Sequence, residues 1–277
     1  MARSLVVLVM TLGILGVDPP TAVGTPLENE AEEFSPALSM DYLWDGGALP
    51  FIYGSALFTL GVRLFIEPPE DPRFFSSSEG GASVSSDTVP EVAMAGFALS
   101  GAGLIAAIPG PSRWYHLKGY AQATITNLAI TELAKNVVGR HRPTFSGDLN
   151  DTDSRRSFFS GHASVAATSS VYLGLYLGLN VLPRLSPTQA GIYGTLGAVG
   201  LATVLVGVPL SRLKDNRHHL SDVLTGSFVG AASAIAFYTY QQMRYQHDRE
   251  GFRDTKQSRL MLVPDLQNRG IVLFSAW

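Results

Sequence analysis

What most constrains this chain is a series of apolar stretches, each close to the length needed to cross a bilayer. From residue 48 onward they occupy roughly 48–66, 92–109, 119–138, 163–182, 189–210 and 219–240. A hydrocarbon core about 30 Å thick takes a helix of about 20 apolar residues. The fifth stretch, QAGIYGTLGAVGLATVLVGVPL, carries no charge and reads as a spanning helix. The fourth and sixth are rich in Gly, Ala, Ser and Thr, which lets helices approach closely in lipid. The third differs, because Glu132 and Lys135 lie inside it at i, i+3 spacing. Ionisable groups at such a depth face a wet cavity or serve a function. The expected fold is therefore all-α, a polytopic membrane helical bundle of about six helices. A mean hydropathy only slightly above zero leaves a soluble all-α protein with buried helices as the alternative. Charged residues at 16% and apolar residues at 46% exclude a disordered chain and a coiled coil.

Residues 1–24 read as a signal peptide or anchor. Arg3 precedes LVVLVMTLGILGV, an apolar run of signal-core length, and Ala22-Val23-Gly24 offers small residues for cleavage. Residues 25–47 hold six acids and no Lys or Arg, as in an acidic extracytoplasmic leader. The main domain is then 48–242, with a C-terminal tail at 243–277. Loop charge gives an orientation. Segment 67–91 has six acids against Arg73 alone, while Arg113 and Lys118 follow the second stretch. The tail from Arg244 to Arg269 holds six basic residues. Positive-inside reasoning places that short loop and the tail in the cytoplasm, and residues 139–160 and 211–218 outside. The first stretch fits less simply, since acidic segments flank it on both sides. It lies on or re-enters the membrane, or the signal is retained.

With no Cys, the chain has no disulfide scaffold, thiolate zinc site, thiol catalysis or iron–sulfur cluster. A net charge of −3 argues against coating nucleic acid. The chemistry gathers where apolar stretches end. Lys135-Asn-Val-Val-Gly-Arg140-His141-Arg142-Pro143 closes the third, Ser157-Phe-Phe-Ser160-Gly161-His162 opens the fourth, and Ser211-Arg212 through His218-His219 to Asp222 opens the sixth. Lys135, Arg142 and Arg212 supply a positive field, and arginine forks match phosphate oxygens. Ser160 and Gly161 open a helix, whose free N–H groups and dipole favour an anion. His218 and Asp222 are four apart, on one helical face, where a carboxylate orients an imidazole. His162 is a second imidazole on another helix start. These parts make a phosphoryl-transfer site without metal, one His as nucleophile and the other as general acid. Adjacent His218 and His219 diverge around a helix, and no third ligand has suitable local spacing, so a metal pair is not expected.

These three segments resemble the type 2 phosphatidic acid phosphatase (PAP2) superfamily, written K-x6-R-P, P-S-G-H and S-R-x5-H-x3-D. Lys135, Arg142 and Pro143 match the first element, and Ser160, Gly161 and His162 the second, where Phe159 replaces its Pro. Ser211, Arg212, His218 and Asp222 match the third. The aromatic at 159, with SFFSGHAS around it, looks most like lipid phosphate phosphatases. The resemblance implies a PAP2/haloperoxidase-like helical core and no cofactor. It also implies that His218 attacks phosphorus with Asp222 orienting it, and that His162 protonates the leaving alcohol and then activates water. Lys135, Arg142, Ser160, Gly161 and Arg212 would hold the phosphate oxygens.

The leading expectation is a membrane phosphatase for a lipid phosphate monoester such as phosphatidate, its site facing the periplasm or exterior. The same site would serve undecaprenyl diphosphate or another polyprenyl phosphate. A soluble periplasmic acid phosphatase and a vanadium haloperoxidase are further rivals. The segment GIVLFSAW reads as a short strand or an interfacial anchor. Oligomeric state is not legible.

Overall fold

The structure is a computed structural model that describes residues 48–76, 80–83, 87–258, 260–265 and 270–275. The expected signal or anchor and the acidic leader lie outside the described residues. Six helices follow the six apolar stretches closely. They are α1 (Ala48–Phe65), α2 (Glu91–Ala107), α3 (Arg113–Val138), α4 (Gly161–Tyr176), α5 (Pro187–Lys214) and α6 (Leu220–Ser258). A two-stranded antiparallel hairpin, β1 (Leu260–Asp265) and β2 (Gly270–Ser275), comes after the bundle, with Leu260 opposite Ser275. GIVLFS is thus a strand.

The helix ends have local causes. Pro90 precedes α2, where its missing N–H costs nothing, and Glu91 in the first turn suits the positive end of the dipole. Gly139 ends α3 in the left-handed region (φ 64°), its N–H bonding the Lys135 carbonyl. That turn directs Arg140 and Arg142 away from the helix axis. Ser160 caps α4 by accepting from Ala163 N at 3.4 Å. Ser186 and Gln189 form a capping box on α5, with Pro187 in its first turn.

Helix α4 is the centre of the bundle, in contact with α2, α3, α5 and α6. Every side chain from Ala163 to Ser170 is buried. Its residues Tyr172, Leu173 and Tyr176 join Ile105, Tyr120, Ala123, Ala234 and Tyr238 in the main apolar cluster. Helix α3 turns its polar residues inward, with His116, Asn127, Thr131, Glu132 and Asn136 all buried. This explains Glu132 inside an apolar stretch, because it faces the bundle and not lipid.

Among the described residues, three helical segments are long and apolar enough to cross a membrane, Gly161–Arg184, Pro187–Lys214 and Leu220–Gly251. Two shorter apolar helices, Phe51–Phe65 and Glu91–Ala107, stand beside them. Helix α5 leaves Ile192, Leu196, Val199, Val206 and Leu210 uncovered along its outer side. A water-facing surface of that extent would be unfavourable, whereas hydrocarbon accommodates it. A membrane bundle therefore accounts for these faces, and a soluble helical protein does not.

Candidate active site

Two glycines bring the motif-bearing helix starts together. A Cβ on Gly226 would lie 2.5 Å from the Ser160 carbonyl oxygen, and one on Gly230 only 2.1 Å from that of Ser164. Only glycine allows α6 to approach the α4 backbone this closely. The Thr168 hydroxyl donates to the Gly230 carbonyl at 3.1 Å along the same seam. At its end, Ser160 N donates to the Asp222 backbone carbonyl, joining the second motif to the third. Phe159, the departure from the family pattern, is buried beside Gly226, so the aromatic fills space that the glycine leaves.

The loop between α3 and α4 folds back on itself through Arg142 N to Ser154 O and Ser157 N to Arg140 O. Ser157 thereby reaches His218. Its carbonyl accepts from His218 Nδ1 at 2.8 Å, while the nearest Asp222 oxygen stands 3.8 Å from that nitrogen. With Nδ1 carrying the proton, Nε2 keeps its lone pair. Asp222 is fully buried and receives Ser157 Oγ at 2.5 Å, His219 N at 3.0 Å and Arg140 Nη1 at 2.6 Å. The carboxylate orients His218 mainly through the Ser157 segment and acts on the ring through its charge.

The cations surround this pair. An added Cβ on Gly161 would lie 3.4 Å from Lys135 Nζ, which places the ammonium at the start of α4. Lys135 pairs with Glu132 at 3.3 Å, and Arg156 pairs with the other Glu132 oxygen. Arg142 reaches Asp153 at 2.8 Å. Arg212 donates to the Val89 carbonyl at 3.2 Å and pairs with Asp87. His162 feels the charges of Arg212, His218 and Lys135, so all three motifs share one electrostatic environment. Arg142 Nε, Arg212 Nε and His162 Nε2 are buried nitrogens with no protein partner. Buried polar atoms are ordinarily satisfied, so these three stand out on residues that the motifs assign to phosphate. His219 goes elsewhere, its Nε2 lying 3.1 Å from the His141 carbonyl oxygen.

The expected site residues His162, His218, Asp222, Lys135, Arg142, Ser160, Gly161 and Arg212 come together where α3, α4 and α6 meet, with four supporting residues that the spacing did not single out. Arg140 bonds both Asp222 and Ser221 Oγ and covers the Phe75 ring at 3.8 Å. Ser157 bonds His218 and Asp222, Arg156 pairs with Glu132, and Asp87 pairs with Arg212 and Arg217. Arg140 and Ser157 stand within the quoted segments, yet nothing in their spacing separates them from ordinary loop residues. Asp87 lies more than 120 residues before its arginine partners, a separation no local pattern bridges.

Burial lowers the His218 pKa from 6.5 to about 4, and Asp222 only partly opposes this. The folded imidazole is thus neutral at pH 7. An unfolded imidazole binds a proton near 6.5, so this group's contribution to stability is full above 6.5 and is lost as pH falls through about 4. Thermal midpoints in detergent between pH 7.5 and 4 should fall on acidification, and His218→Asn should flatten the decline. An equally steep decline in the variant would remove His218 as its source.

Residues 117–246 match the family model described as the PAP2 superfamily. Among similar proteins is a Caenorhabditis elegans protein named phospholipid phosphatase homolog 1.2 homolog. It is 31% identical over 139 residues, covering 40% of this chain and 40% of the relative. Phospholipid phosphatase 2 of Rattus norvegicus is 31% identical over 135 residues, covering 40% and 48% respectively. A Drosophila melanogaster protein named putative phosphatidate phosphatase is 36% identical over 160 residues, covering 46% and 41%. The matched region spans less than half the length of each of these curated relatives. No solved structure matches.

Proposed function

We propose, for a chain whose residues 117–246 match the PAP2 superfamily model, that it is a membrane phosphatase hydrolysing a lipid phosphate monoester such as phosphatidate without metal. The observation that carries this reading is the group of buried, unpartnered nitrogens on Arg142, Arg212 and His162 beside Lys135 and the capped start of α4. The oxygens of a phosphate are acceptors for arginine donors such as these. The names of the relatives, phospholipid phosphatase and putative phosphatidate phosphatase, favour a phospholipid as its carrier. Apolar faces on α5 suit a substrate whose tails remain in the bilayer. Positive-inside reasoning puts the site at the outer face.

In the mechanism, His218 Nε2 attacks phosphorus as the bond to the lipid oxygen breaks. His162 gives that oxygen a proton, and the diacylglycerol-type alcohol leaves. His162, now neutral, takes a proton from water as the water oxygen attacks the phosphohistidine, releasing inorganic phosphate and His218. Lys135, Arg142, Arg212, Ser160 and the Gly161 amide hold the non-bridging oxygens, where charge accumulates in the transition state. The Ser157 carbonyl and the Asp222 charge stabilise the phosphorylated ring.

The test is phosphate release from phosphatidate in detergent micelles by the purified protein with EDTA present. Release resistant to EDTA is expected. Absence of release, with turnover instead of a polyprenyl diphosphate, would replace the monoester reading with the diphosphate one.

A further inference from the structure

The stretch just before α2 belongs to none of the three motifs, yet Asp87 and Val89 contact Arg212 and Thr88 holds the turn beside it. Asp87 pairs with Arg212 Nη2 at 3.3 Å and with Arg217 Nε at 3.0 Å. Thr88 donates twice to the buried Asp215 carboxylate, from its backbone N and its hydroxyl, both at 2.7 Å. The Val89 carbonyl accepts from Arg212 Nη1 at 3.2 Å, and the Val89 backbone also hydrogen-bonds the His162 ring. Asp215 ends α5 three residues after Arg212, so the Thr88 bonds fix the segment against the turn that presents the arginine. We infer that Asp87–Val89 is a fourth element of the phosphate site, which orients Arg212 for the substrate phosphate before substrate arrives.

The donor inventory of Arg212 supports this role. A guanidinium has five N–H donors in a rigid fork. Here Asp87 engages one terminal nitrogen and Val89 the other, leaving Nε without a protein partner. Fixing both terminal nitrogens sets the plane and direction of the fork, so the remaining donors meet phosphate with little rotamer entropy to lose. Asp87 is the more informative half, because its side chain is 42% exposed. A partly solvated carboxylate beside two arginines contributes little to global stability. Its value lies in the direction it gives Arg212. Asp87 is a positioning residue, since it acts through Arg212 and not on phosphorus.

This inference rests on the phosphatase reading, but its test does not need the lipid to be known. Orthovanadate, a phosphate mimic, is added to the purified full chain in detergent, and binding is read from the rise in thermal midpoint. Asp87→Asn should raise the apparent vanadate dissociation constant about tenfold and lower kcat/KM on any active substrate by a similar factor. Asp87→Glu should recover part of both losses. In the Arg212→Lys background, where no fork remains to orient, Asp87→Asn should add nothing. Thr88→Ala, which loosens the same segment and keeps the acid, should shift vanadate binding in the same direction by less. It serves as the reading if Asp87→Asn does not fold. Unchanged vanadate affinity in both variants would overturn the inference, as would effects that multiply with Arg212→Lys. Tighter binding in Asp87→Asn would overturn it too, by making Asp87 a competitor of phosphate. A wild-type chain that binds vanadate yet releases no phosphate would count against the lipid phosphatase reading alone.

Discussion

Replacing His218 with Asn is expected to lower phosphate release by at least about ten-thousandfold, the usual scale for loss of a covalent nucleophile. Asn is the informative replacement, because its amide can still donate to the Ser157 carbonyl that holds Nδ1 now. The environment of Asp222 then changes little, and the loss isolates the attacking Nε2. Acid-labile, alkali-stable phosphate on the protein should be trapped in a rapid quench of the wild type and be absent from His218→Asn. His162→Gln should still form that adduct from a substrate with a good leaving group, since an acidic leaving group does not need a proton. A His218→Asn variant within tenfold of the wild-type rate would remove His218 as nucleophile.

The second large effect is expected far from phosphorus, at Gly230. A glycine inside an exposed helix is normally improved by Ala by about 1 kcal/mol. Here the sign reverses, because the new Cβ would stand 2.1 Å from a backbone oxygen on α4. A flexible side chain can move aside, but the Ser164 carbonyl belongs to a helical stretch, Ala163 to Ser170, whose side chains are all buried. Gly230→Val should therefore force α4 and α6 apart. Overpacking of this kind costs about 1–3 kcal/mol or more. The displacement also separates Ser160 and His162 from His218 and Asp222, and misplacement by about 1 Å costs on the order of a hundredfold in rate. Expected results are a thermal midpoint several degrees lower and activity reduced about a hundredfold in the protein that remains folded. Gly191→Val, at a helical glycine whose Cβ would meet nothing within 4 Å, serves as the comparison and should leave both close to wild type. Equal behaviour of the two variants would show that the seam tolerates a side chain.

Much of this protein is local and was therefore readable. Stretches of apolar residues predict where helices lie because backbone groups in a bilayer must bond within their own segment. Thus α1 through α5 match the expected blocks within a few residues, except that α3 begins earlier, at Arg113, and α4 ends earlier, at Tyr176, where a π-helical turn takes over. Ser160 and Gly139 act within one helical turn, so their capping roles follow from sequence neighbours. The i, i+4 spacing of His218 and Asp222 also set them on one face.

What sequence spacing could not supply was which atoms meet. It suggested a direct bond from His218 to Asp222, but the folded loop delivers the Ser157 carbonyl to Nδ1 first, at 2.8 Å against 3.8 Å. The reach of α6 past residue 242 to Ser258 was hidden because its later turns are polar and lack the apolar run that marks a span. Arg140 and Asp87 were unreadable for a different reason. Their partners lie 82 and 125 or more residues away, and an ion pair leaves no periodic trace in the chain. The sequence by itself determined the helices, the chemical groups at their ends and the charge of the site. Only the tertiary structure decided the seam of Gly226 and Gly230, the tautomer of His218 and the fixed fork of Arg212, because each depends on the approach of segments distant in the chain.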